Sequence, residues 1–164
     1  MTQGNGRPAG QGLPSSAVER ARYAASVEAL ARALAATAGG ETVRAIEALA
    51  SVVVNRMEAA RARRAPPQWG VELGAAVRAS GLATADAVSV QETRLLAACR
   101  RIAARAASGA LPDPTGGAVF WNRTGTRRPE EAEGGPGVRI GGFVFRRAAA
   151  TPPRAAQGWT DAEP

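Results

Sequence analysis

Apolar residues recur at helical spacing through the first part of the chain, and two glycines at positions 39 and 40 interrupt the pattern. The residues before the glycines are rich in alanine and leucine, which favour a helix. The apolar residues after them mark one buried helical face: Ile46, Leu49, Val53 and Met57. Glycine ends a helix at little steric cost. The pattern therefore predicts two helices, over about 16–38 and 41–62, that meet at a glycine corner.

Capping signatures predict where the other helices begin. Ser16 and Glu19 have the spacing of a capping box, which would start the first helix. A short third helix is predicted over 69–77. A second capping box over 89–92 predicts a fourth helix that ends near residue 107.

The pattern then changes to turn residues and short apolar strands. Residues 112–117 contain an Asp-Pro and a Gly-Gly pair, which are typical of turns. Residues 118–122 and 143–146 predict two short strands that pair with each other. The predicted fold class is α+β and mainly α: a compact helical bundle with a small antiparallel β-hairpin near the C-terminus.

The chain of 164 residues has room for a single core. Because both ends are polar, we expect a flexible N-terminal arm over 1–15, a folded domain over 16–147 and a flexible C-terminal tail over 148–164. The first residues lack the apolar core of a signal peptide, and Glu47 interrupts the best apolar run. We therefore expect no membrane span and a cytoplasmic protein as synthesised, which reaches a cell wall only after lysis or inside a particle.

Charge and rare residues narrow the function classes. All 21 basic residues are arginine, and with 14 acidic residues they give a net charge of +7, which favours anionic partners. The arginines are scattered without an interleaved aromatic patch, which disfavours nucleic acid as a partner, although salt-sensitive DNA binding stays an open alternative.

Cys99 is the single cysteine and histidine is absent, so we expect no disulfide, no metal cluster and no cofactor. Cys99 is predicted to be a small buried apolar residue.

Three motif-like blocks lie between residues 28 and 147. The first comprises residues 30–41 and 48–56, the second residues 113–122 and the third residues 139–146. In order and separation they resemble the SleB-type cell-wall hydrolases (spore-cortex-lytic and phage-like peptidoglycan hydrolases), whose blocks run L-A-R-x-[IL]-x-x-E-A-R-G-E, D-P-T-G-G-A and I-G-x-H-x-F-Y. The resemblance implies a lysozyme- or transglycosylase-like fold and cleavage of peptidoglycan glycan strands, by hydrolysis or by a lytic-transglycosylase-like reaction.

The resemblance also implies a catalytic position. The first glutamate of E-A-R-G-E, the family's general acid and base, matches Thr37, and the second matches Glu41. A threonine hydroxyl cannot protonate a glycosidic oxygen near neutral pH. The candidate acid is therefore Glu41, whose alternative role is to cap the second helix. A partner carboxylate for paired-carboxylate cleavage would come from Glu130, Glu131 or Glu133.

The candidate substrate-binding residues are glycines, aromatics and one amide near the second and third blocks. They are Gly116, Gly117, Phe120, Trp121, Asn122 and Phe143. The glycines would let the backbone approach a ligand, and the rings would line a groove for a sugar chain or, alternatively, pack in the core. Two functions remain: a peptidoglycan hydrolase, or a catalytically inactive glycan-binding or structural component of a phage-like or gene-transfer particle.

Overall fold

The computed structural model describes residues 16–83, 94–126 and 137–148. The helices in these ranges are α1 (Ala17–Thr37), α2 (Val43–Arg61), α3 (Leu73–Ala79) and α4 (Arg94–Ala107), with a 3-10 turn at Pro67–Trp69. The strands are β1 (Phe120–Arg123), β2 (Val138–Ile140) and β3 (Phe143–Arg146). The predicted class, α+β and mainly α, is confirmed.

The glycine corner between α1 and α2 forms where the pattern predicts it. At the start of α1, Ser16 Oγ accepts a hydrogen bond from the Glu19 amide at 3.1 Å, and the Glu19 carboxylate accepts one from the Ser16 amide at 3.0 Å. The helix α2 begins at Val43 rather than at Glu41, because the Thr42 side chain caps it. Glu41 therefore lies in the connection before the helix.

The core lies between the helices and one face of the sheet. Both α1 and α2 pack against α3 and α4, and many of the buried residues are alanines, which allow the helices to approach closely. The largest fully buried side chains are Phe143 and Phe145. Cys99 is buried in this core as predicted, and its burial raises the pKa of the thiol.

The sheet has the strand order β1-β3-β2 and is antiparallel throughout. The predicted pairing of the two apolar strands is confirmed, with Phe120 opposite Arg146 and Arg123 opposite Phe143. The strand β2 adds a third member to the predicted hairpin. It joins β3 through Gly141 and Gly142, and the positive φ of Gly141 suits such a tight turn.

Several predictions concern residues that the structure does not describe. They are the flexible arm over 1–15, all of the C-terminal tail except Ala148, the capping box over 89–92 and the three loop glutamates Glu130, Glu131 and Glu133. Within the described ranges, no helix has the length and apolar character needed to cross a membrane.

Candidate functional site

Thr37, which the motif resemblance matches to the general acid of the SleB-type hydrolases, is the last residue of α1 and is 6% exposed. Its Oγ1 accepts a hydrogen bond from the Ala83 amide at 2.9 Å. Its carbonyl oxygen accepts a hydrogen bond from the Arg123 guanidinium at the end of β1. The end of α1 is therefore held between the segment after α3 and the sheet.

Arg123 lies over an aromatic stack beside Thr37. Its guanidinium carbon is 5.0 Å from the centre of the Phe143 ring, and Trp121 meets the same ring edge-on at 5.6 Å. The Trp121 Nε1 donates to the Ser80 carbonyl oxygen at 2.9 Å. Phe143 is 0% exposed, whereas Arg123 is exposed. The guanidinium is therefore the group that this stack presents to solvent.

Glu41 joins the same corner to the turn between β2 and β3. Its carboxylate accepts a hydrogen bond from the Gly142 amide at 3.0 Å. A Cβ at Gly141 or Gly142 would come within 2.6 or 2.4 Å of a Glu41 carboxylate oxygen, so glycine permits this close approach. We call the group of Thr37, Glu41, Arg123, Gly142 and Phe143 the Thr37 corner.

The Asp-Pro-Thr-Gly-Gly segment is a turn organised by Asp113. Its Oδ1 accepts from the Thr115 hydroxyl at 2.6 Å and the Thr115 amide at 2.8 Å, and its Oδ2 accepts from the Gly117 amide at 2.7 Å. Asn55 of α2 donates to Oδ2 at 3.0 Å and to the Ala118 carbonyl oxygen at 2.9 Å. Burial alone would raise the pKa of Asp113, but these hydrogen bonds lower it below its ordinary value.

The turn lies far from the Thr37 corner. Asn55, which holds the turn, is twelve residues beyond Val43, and at 1.5 Å per residue this is about 18 Å along α2. The exposed Gly116 and Gly117 belong to this distant turn. The structure therefore separates these two predicted binding residues from Glu41.

The other predicted binding residues fall into two groups. Trp121 and Phe143 belong to the stack at the Thr37 corner, whereas Phe120 packs edge-on against Trp69 with ring centres 5.6 Å apart. Asn122 is buried, and its Oδ1 accepts a hydrogen bond from Arg146 at 3.0 Å. Phe120 and Trp121 therefore pack in different aromatic clusters, and the binding of substrate by these six residues stays a prediction.

Arg123 and Arg56 make long-range contacts in this region, and neither was predicted as a site residue. Arg123 follows the second motif block without any local signal of its own. Arg56 belongs to the motif pair Asn-Arg, and it donates to the Val119 carbonyl oxygen at 2.6 Å. In the described ranges, no group of three or more Cys, His, Asp or Glu side chains could hold a metal ion.

Comparison with known proteins supports the architecture. No family model matches this chain, and no curated protein matches it. Among solved structures it is similar to the crystal structure of the catalytic domain of the Bacillus cereus SleB protein, with a TM-score of 0.57 and 19% identity. The match covers 88% of this chain and 100% of that chain. At this identity the likeness concerns the fold, and the chain therefore has a SleB-like, lysozyme-type α+β fold.

Proposed function

We propose that this protein is a cell-wall hydrolase homologue that engages the glycan strands of peptidoglycan and binds them without cutting them. The observation that carries the proposal is Thr37. It occupies the position of the family's general acid, and its hydroxyl already accepts a hydrogen bond from Ala83. General acid catalysis needs a group that gives up a proton near neutral pH, and a threonine hydroxyl does not.

The contact of Glu41 favours a structural role for that residue. Its Oε2 accepts the Gly142 amide proton, and this bond ties the α1–α2 connection to the sheet. Because Gly141 and Gly142 have no side chains, the Glu41 carboxylate can lie directly against the turn. This hydrogen bond gives Glu41 a structural role that does not require it to take part in cleavage.

Cleavage of the glycan strand, by hydrolysis or by a lytic-transglycosylase-like reaction with Glu41 as the acid, is the second candidate function. One observation favours it. Oε1 of Glu41 makes no hydrogen bond within the described ranges, and the carboxylate is four residues from Thr37 at the same corner. A carboxyl oxygen without a partner is the kind of group that can deliver a proton to a glycosidic oxygen.

Release of soluble muropeptides from purified peptidoglycan separates the two functions. We expect no release from the wild type or from Glu41→Gln. Release by the wild type that Glu41→Gln abolishes would overturn the binding-only proposal and establish Glu41 as the acid. Co-sedimentation with peptidoglycan sacculi tests binding itself, and a wild type that stays in the supernatant would refute the proposed function.

A carboxylate introduced at position 37 tests whether the Thr37 corner lacks only its acid. Thr37→Glu alone would put a carboxylate next to the Arg123 guanidinium, and an ion pair would keep it ionised. We therefore expect muropeptide release only when Thr37→Glu is combined with Arg123→Gln.

A role as a structural part of a phage-like or gene-transfer particle stays a prediction, which co-purification with such particles would test.

A further inference from the structure

Neutral groups hold the guanidinium of Arg123 in place. One NH2 group donates to the Thr37 carbonyl oxygen, and the guanidinium carbon lies over the Phe143 ring, 5.0 Å from its centre. The ring cannot move away easily, because Phe143 is 0% exposed and packed in the core. A carbonyl and a ring face orient a guanidinium without cancelling its charge.

Arg123 has no anionic partner among the described residues. The ion pairs found there join Glu28 to Arg32 and Arg100, and Glu47 to Arg105. The hydrogen bond to Thr37 and the contact with Phe143 account for the interactions of the Arg123 side chain with the described residues. Its side chain is exposed. A rigid, exposed guanidinium whose other N–H groups bind no described residue matches the geometry of a carboxylate, which it can bind through two parallel hydrogen bonds.

A second hydrogen-bond donor is the hydroxyl group of Thr37, the residue to which the Arg123 guanidinium is bonded. The Thr37 Oγ1 accepts from the Ala83 amide, and its O–H has no acceptor within the described ranges. The guanidinium meets the carbonyl oxygen of the same residue. The Thr37 corner therefore contains a cation and a hydroxyl group, and groups of both kinds can donate hydrogen bonds to an anionic oxygen.

The sugars of an N-acetylated glycan strand are neutral, whereas the peptide stems attached to them carry free carboxylates. We propose that Arg123 determines specificity by binding a stem carboxylate, so that the protein recognises peptidoglycan whose stem carboxylates are free in preference to peptidoglycan whose stem carboxylates are blocked. This inference rests on the proposed function and names its ligand more closely. The net charge of +7 favours the same anionic form of the ligand.

The test compares two ligands and four forms of the full-length chain. The ligands are sacculi that are free of teichoic acid and have acetylated stem amines, and the same sacculi after carbodiimide coupling of methylamine to the stem carboxylates, which leaves the strands and their cross-links in place. The proteins are the wild type, Arg123→Gln, Arg123→Lys and Arg20→Gln. Arg20 is an exposed arginine seventeen residues before Thr37 on α1, about 25 Å away along the axis. Arg20→Gln therefore controls for the loss of one positive charge.

We expect the wild type to bind sacculi with free carboxylates about tenfold or more tightly than blocked sacculi, because a charge-assisted bidentate contact is lost when the carboxylates are amidated. Arg123→Gln should lose this preference and still bind blocked sacculi like the wild type, which also shows that the variant is folded. Arg123→Lys should keep part of the preference, and Arg20→Gln all of it.

Three results would overturn the inference. Equal binding of the wild type to both ligands refutes it while leaving the proposed function intact. Equal weakening of Arg123→Gln on both ligands assigns Arg123 a role in structure or in sugar binding instead. A wild type that binds neither ligand refutes the proposed function, and the inference with it.

Discussion

At the scale of single residues, Asp113 illustrates how one carboxylate organises a turn and attaches it to a helix. Four hydrogen bonds reach its two oxygens, from the side chain and amide of Thr115, the amide of Gly117 and the side chain of Asn55. They outweigh burial and keep the pKa below its ordinary value. A carboxyl whose pKa is lowered by folding stabilises the fold above its unfolded pKa, and this contribution is lost as the pH falls through the lower folded pKa.

Asp113→Asn should therefore lower the free energy of unfolding at pH 7 by about 1–3 kcal/mol, since an amide nitrogen would face other donors. The difference from the wild type should shrink as the pH falls from about 4. Urea unfolding over a pH series measures both effects. The matched control is Glu72→Gln, because Glu72 is exposed and its side chain makes no capping bond. A difference that does not change with pH would contradict this account.

At the scale of elements, Arg56 connects α2 to two other parts of the fold. Its Nε donates to the Val119 carbonyl oxygen just before β1 at 2.6 Å, and its NH1 donates to the Ala79 carbonyl oxygen at the end of α3 at 2.7 Å. The guanidinium carbon is 4.9 Å from the centre of the Trp69 ring. Arg56 is 8% exposed, so the planar fork satisfies buried backbone groups that water does not reach.

Arg56→Lys should lower the free energy of unfolding by about 2–3 kcal/mol, because one ammonium cannot reach both carbonyl groups and stack on the ring. Chemical denaturation monitored by circular dichroism would measure the loss. Arg44→Lys, an exposed change on the same helix, should alter the free energy by less than about 0.5 kcal/mol. An equally small effect of Arg56→Lys would mean that the hydrogen bonds and the ring contact of the Arg56 guanidinium contribute little to stability.

At the scale of the whole molecule, stability depends on close packing of small residues. Only 4% of the chain is aromatic, and the buried surfaces of α1, α2 and α4 contain many alanines. Cys99 is 0% exposed on α4, the helix against which both α1 and α2 pack. A reagent can reach this thiol only when the helices separate, and burial also raises its pKa and so reduces the reactive thiolate.

The labelling of Cys99 by a thiol reagent should therefore report global unfolding. In native conditions we expect labelling about a thousandfold or more slower than in urea, in proportion to the unfolded population. Increasing sub-denaturing urea should accelerate labelling with the slope of global unfolding. The urea-unfolded chain supplies the reference rate. Fast labelling of the native protein would indicate local opening of α4 instead.

Local features were predicted well because they depend on neighbours in sequence. The capping box at Ser16, the glycine corner and the pairing of the two apolar strands each follow from spacing and residue type. The motif likewise located Thr37 and Glu41 at one corner. The start of α2 was predicted about two residues too early, at Glu41, because Thr42 and Glu41 both suit a helix N-terminus and only the hydrogen bond from Ala45 selects Thr42 as the cap.

The sequence by itself predicted the helices and the fold class, since these require only local periodicity, and the motif resemblance selected Thr37 as a candidate position whose loss of the acid stays a prediction. The tertiary structure alone decided what surrounds that position. Arg123 meets Thr37 across 86 residues, and Glu41 meets Gly142 across 101 residues. Contacts over such separations leave no periodic pattern in the chain, because they arise only when the packed core brings the sheet against the α1–α2 connection.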